Sequence, residues 1–180
     1  MNPLIQLRRA TQLFIVAVCF GFSPAVWAVS PPPDGGYPGS NTAEGDGALF
    51  SLAGGFENTA IGNGALGNDT GGSRNTGVGW VALGTNTSGS GNTAVGGGAL
   101  NHNQTGSQNT ATGVGALFAN TSSNNTATGF QALCSNTNGS RNTATGENSL
   151  EVNTTGKFNT ATGAEALINN NGNDNHCHRF

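Results

Sequence analysis

A nine-residue phrase, Asn-Thr-(Ala/Gly)-x-Gly-x-x-(Ala/Ser)-Leu, is written eight times along this chain, beginning at Asn41, Asn58, Asn75, Asn92, Asn109, Asn125, Asn142 and Asn159. The copies recur with a 17-residue period, and a single step of 16 separates Asn109 from Asn125. Such a period constrains the fold more than composition does, because one unit cannot bury its apolar residues alone and must stack on its neighbours. Glycine at 30 of 180 residues and a charged fraction of 8% would otherwise place the chain among low-complexity segments, which bury too little to offset backbone entropy. Disorder has no need to return Leu to one register, so the repeat overrides that class.

The unit is a poor helix: it carries Gly at fixed points and Asn-Thr pairs, and no run has a 3.6-residue period. It suits short strands and turns. The first strand runs through Asn-Thr-Ala-x and ends at the Gly of the fifth position, where positive φ is easily adopted. A second short strand is expected to carry the Ala-Leu pair, and the remainder, as in Asn136-Thr137-Asn138-Gly139-Ser140, has turn chemistry. The expected fold is therefore all-β: a parallel β-solenoid, or β-roll, built from eight 17-residue coils, one of them shortened to 16. Eight coils at a strand spacing of about 4.8 Å make a rod about 38 Å long.

Stacked coils bring like residues into rows. The first-position Asn residues, Asn41 through Asn159, form a candidate register ladder, and a second runs through Asn86, Asn103, Asn120, Asn136, Asn153 and Asn170. Amides stacked in this way donate to one rung and accept from another. Ala and Leu are adjacent, so in an extended strand they point to opposite faces. If the Ala row lines the interior, then Leu49, Leu66, Leu83, Leu100, Leu117, Leu133, Leu150 and Leu167 form an exposed apolar stripe of the kind soluble monomers avoid, and self-association is expected. The alternative is a core stripe, with a local bend at Ala-Leu turning both rows inward. Thr at the second and fourth positions of the last four coils (Thr110, Thr112, Thr126, Thr128, Thr143, Thr145, Thr160 and Thr162) shares one strand face, a two-column array. Either β propensity or an ice-binding surface accounts for such a pattern.

Residues 1–28 read as a signal peptide. Arg8 and Arg9 precede the apolar run Leu13 to Phe22, and Val26-Trp27-Ala28 offers a cleavage site after Ala28. The expected address is outside the cytoplasm, at the cell surface or extracellular. Residues 29–40 are a Pro/Gly-rich linker or cap, residues 41–175 the repeat domain, and residues 176–180 an irregular tail that suggests truncation, since a ninth Asn-Thr falls due at His176. After signal removal Arg74, Arg141, Lys157 and Arg179 stand against nine acids, a net charge of −5 that argues against a nucleic-acid partner. Cys134 and Cys177 are too few for a disulfide framework.

The pattern in Asn58-Thr59-Ala60-Ile61-Gly62-Asn63-Gly64-Ala65-Leu66 resembles the head repeats of YadA-like trimeric autotransporter adhesins. It is also similar to repeats that precede endosialidase-type chaperone domains in tail-fibre-like proteins. The resemblance covers Asn41 to about Asn175. It implies a left-handed β-roll, three chains side by side, and adhesion to host matrix or another surface ligand. The repeats of that family are commonly shorter, and neither a heptad stalk nor an anchor barrel is present in this sequence.

Catalysis has little to work with. Glu147, Glu151 and Glu165 occupy different repeat positions and make no acid-base pair, and nothing matches a calcium β-roll repeat. His176, Cys177 and His178 have metal-ligating chemistry but, on an irregular tail, make a poor closed site. The expectation is thus a non-enzyme without cofactor or metal: an adhesive or structural repeat protein, with a tail-fibre-like shaft and an ice-binding solenoid as alternatives. Trp80, Phe130 and Glu147, at the sixth position, are candidate exposed contact residues.

Overall fold

The computed structural model describes residues 37–179. The signal peptide and residues 29–36 of the linker lie outside the described residues. Nine strands of three residues each form one parallel sheet in sequence order: β1 (Thr42–Glu44), β2 (Thr59–Ile61), β3 (Thr76–Val78), β4 (Thr93–Val95), β5 (Thr110–Thr112), β6 (Thr126–Thr128), β7 (Thr143–Thr145), β8 (Thr160–Thr162) and β9 (His176–His178). Every strand pairs with the next one coil later, Thr on Thr from Thr42↔Thr59 to Thr143↔Thr160 and Ala on Ala except at Gly77 of β3. The molecule is a β-solenoid of eight coils closed by a ninth strand, with no helix among the described residues.

Register survives the 16-residue step, since Thr110 still pairs with Thr126 and Thr112 with Thr128. The missing residue comes out of the turn after Asn120, where Ser122 takes the place of Gly106 or Gly139 in the neighbouring coils. A second short step, between Asn159 and Asn175, works the same way and puts His176 opposite Thr160. The irregular tail expected at 176–180 is instead, over His176–His178, the last strand of the sheet. The ninth ladder Asn is Asn175, one position earlier than a strict repeat places it.

Each coil has one strand, and the second strand expected at Ala-Leu is replaced by consecutive turns. Ala82 N–H donates to Gly79 carbonyl, Gly84 to Val81 and Asn86 to Leu83. The Gly of the fifth position is required twice over: Gly96 has φ 131°, and a Cβ there would lie 2.6 Å from the carbonyl oxygen of Gly113 in the next coil. Four positions later the chain turns left-handed again at Leu, with φ between 49° and 53° in every coil. A left-handed Leu costs about 1–2 kcal/mol. Burying its side chain returns about 1.5–3 kcal/mol, and its N–H is satisfied by the next coil, as in Leu83 to Ala99 carbonyl at 3.0 Å.

That conformation decides the interior. Six of the eight Leu residues are fully buried, and Ala of the third and eighth positions lies beside them in one continuous core. The other large buried side chains are Asn. The interior thus sets rows of amide beside rows of hydrocarbon, an arrangement that is stable only if the amides find partners.

Candidate functional site

The outward sheet face is built by strand alternation. The third repeat position is the middle residue of each strand; it points in and is buried in β1 through β8, so the second and fourth positions point out. In β5 to β8 these are Thr110 and Thr112, Thr126 and Thr128, Thr143 and Thr145, Thr160 and Thr162, aligned across the strands in two columns. All but the half-buried Thr160 are exposed. In β2 to β4 the first column continues as Thr59, Thr76 and Thr93, and the second becomes Ile61, Val78 and Val95. Val keeps the branched shape of Thr and loses the hydroxyl, so the relief of the face is continuous although its chemistry changes halfway along. Glu44 ends the array on β1, and His176 with His178 ends it on β9.

The Asn rows lie on the inside and hold the coils in register. Each first-position Asn accepts, through Oδ1, the backbone N–H of the Asn one coil later, at 2.8–3.0 Å from Asn41 to Asn175. Its Nδ2 donates across the coil to a turn carbonyl at 2.8–2.9 Å, that of Gly72 for Asn58 and of Ser122 for Asn109. Asn41, Asn58, Asn75, Asn92, Asn109, Asn125, Asn142 and Asn159 are all buried. Amide-to-amide bonding, expected of both ladders, is the main link only in the second: Asn103, Asn120, Asn136, Asn153 and Asn170 each donate to the preceding amide at 2.7–3.4 Å, and Asn86 donates to the Asp69 carboxyl at 3.3 Å.

The Leu row is a core stripe and not an exposed seam. Leu49, Leu66, Leu83, Leu100, Leu117, Leu133 and Leu150 are buried within the single chain, and Leu167, at the C-terminal end, is partly buried against the same core. Positive φ at Leu removes the strand alternation that would have sent it outward. The case for self-association through these residues falls with it. Exposed apolar area is found elsewhere, on Phe50, Trp80, Val114 and Phe130.

One interior residue breaks the polar pattern. Asp69 heads the second ladder where the following coils have Asn, and it is fully buried. Its Oδ1 accepts from Gly72 N–H at 2.8 Å and Asn86 Nδ2 at 3.3 Å, while Oδ2 has no hydrogen-bond partner among the described residues. Burial pushes its carboxyl above the usual Asp value, against the hydrogen bonds that favour the anion. In the first coil Leu52 occupies this row, so the preceding rung holds no acceptor to which residue 69 would have to donate. The substitution is readable in the sequence as a lone Asp in an Asn row, yet only burial gives it meaning.

The chain matches no protein-family profile, no curated protein and no solved structure. Cys134 is half-buried, and burial, then the charge of Glu151, pushes its thiol up, which disfavours the reactive thiolate. No group of three or more His, Cys, Asp or Glu side chains suited to a metal ion occurs among the described residues. Nor is any described helix long and apolar enough to cross a membrane.

Proposed function

We propose that this chain is an extracellular, non-catalytic adhesive or structural rod of a bacterial surface or secreted assembly. The observation that carries the reading is the outward sheet face. It extends over nine aligned strands, and among the described residues none of the side-chain hydrogen bonds that tie one coil to the next comes from its outward positions. A rigid, regular and nearly uncharged face of this kind suits contact with an extended partner such as matrix protein or a repeating surface polymer. Association of three chains, which the family resemblance implies, would draw on Trp80, Val114 and Phe130, since the Leu row is occupied inside. The test is saturable binding of the full chain to immobilised matrix proteins, surface glycans and host cells. Binding that a bulky substitution in the face, Thr128→Tyr, abolishes without unfolding the chain supports the reading. Absence of binding on every such surface removes it.

A second reading is favoured by one specific feature, the eight Thr side chains of β5 to β8. They place hydroxyl and methyl groups at about 4.8 Å across the strands and about 6.6 Å along them, a regular two-dimensional array on which the ice-binding reading rests. Thermal hysteresis or inhibition of ice recrystallisation, lost in Thr128→Tyr, would support an ice-binding surface. Activity unchanged by that substitution would exclude the array as its source.

A further inference from the structure

The last strand carries chemistry that no other strand has. In β9 the outward second and fourth positions are His176 and His178, paired with Thr160 and Thr162 of β8, and both are exposed. Cys177 between them is half-buried and packs against the core, which directs it to the opposite face. Residues two apart on a strand lie about 6.6 Å apart, and two imidazoles projecting in parallel from such positions can swing their outer nitrogens onto one ion at about 2.0–2.1 Å each. The neighbouring strand presents only the neutral hydroxyls of Thr160 and Thr162. The adjacent cation, Arg179, is paired with the Glu165 carboxylate at 3.2 Å.

We propose that His176 and His178 form a two-imidazole surface site for a late divalent transition ion. Imidazole ligands and the general affinity order of these metals put Cu2+ ahead of Ni2+ and Zn2+. The strand supplies two ligands and leaves the remaining positions to water or to a group on a second molecule. This differs from a structural zinc site, which is closed by four protein ligands. The preorganisation comes from the sheet: β9 is held by backbone pairing to β8, and Asn175, immediately before it, is tied to the Asn159 amide at 2.9 Å. A short unstructured tail of the same sequence would have to order its backbone as well as both side chains on binding.

The test is calorimetric and optical titration of the full chain with Cu2+ alone. One ion per chain is expected, with a ligand-field band from nitrogen coordination. His176→Asn and His178→Asn should each weaken binding on the order of 100-fold, because the second ligand then no longer adds an intramolecular contact. Cys177→Ser and His102→Asn should bind as the parent does. The proposal is overturned if the parent takes up no ion at millimolar Cu2+, if the double His variant binds as tightly as the parent, or if Cys177→Ser abolishes binding. Circular dichroism of each variant verifies that β9 and the solenoid remain folded.

Discussion

In β2, β3 and β4 the outward fourth position carries Ile61, Val78 and Val95, whereas in β5 to β8 it carries Thr112, Thr128, Thr145 and Thr162. Beneath both halves the inward rows are alike: Asn at the first position, Ala or Gly at the third, Ala or Ser at the eighth and Leu at the ninth. The outer chemistry changes while strand register and coil shape do not. Fold and surface are thus nearly separate problems in this molecule, because every interior row repeats its contacts in the next coil and the outer columns touch mainly solvent. A chain of this design can alter what its face offers without altering how it stacks.

The sharpest way to break that comparison is to damage the interior. Leu117→Ala should cost about 2–5 kcal/mol through lost burial and the cavity left behind. The loss, read by urea unfolding, should not depend on protein concentration if Leu117 is core within one chain. A loss that grew on dilution would restore the row to an interface. Asn109→Ala removes the acceptor of Asn125 N–H, while the Ser122 carbonyl keeps the Asn120 amide as a donor. One buried donor is orphaned, and the expected loss is about 1–3 kcal/mol. If Asn109→Ala were neutral, the ladder would not be what holds the register.

Asp69→Asn should act in the opposite direction. It replaces a buried carboxyl that has a partnerless oxygen by an amide able to donate to Gly72 carbonyl while still accepting from Asn86, and should stabilise the chain at neutral pH by at least about 1 kcal/mol. A carboxyl whose native pKa is raised holds its proton more tightly folded than unfolded. Its contribution is therefore full below the unfolded value of about 3.9 and is lost as pH rises through the raised native value. Unfolding free energies compared across that window should find the advantage of the Asp69→Asn variant over the parent shrinking on acidification. An advantage constant with pH would mean that the Asp69 carboxyl titrates alike in the folded and unfolded chain, and one that grew on acidification would mean that it stays ionised in the folded chain. The smallest effect is expected outside, where Thr128→Tyr should change stability by no more than about 0.5 kcal/mol. A larger loss in its melting curve would show the two surfaces to be coupled.

Much of this is legible from the repeat alone. Period and strand alternation depend only on which residues recur, so the parallel sheet, the Asn ladder and the outward Thr columns follow from the positions of Asn109, Thr110, Ala111 and Thr112 and their equivalents. The linear pattern could not place the ninth rung. Counting one full period on from Asn159 reaches His176, whereas the turn after Asn170 is one residue short and the ladder continues at Asn175. For the same reason the sequence presents His176 and His178 as a tail, and the sheet makes them a pair on one strand face.

The Ala-Leu pair marks the boundary between what sequence and structure decide. Its sequence determined that two adjacent small and large apolar residues must be accommodated in every coil, and strand geometry allows only one of them inside. The tertiary structure resolved this by turning Leu117 and its equivalents left-handed, which brings both side chains into the core. No local preference of Leu favours that conformation. It is stable because burial and the N–H bond to the next coil outweigh its cost, and both of those exist only once the coils are stacked.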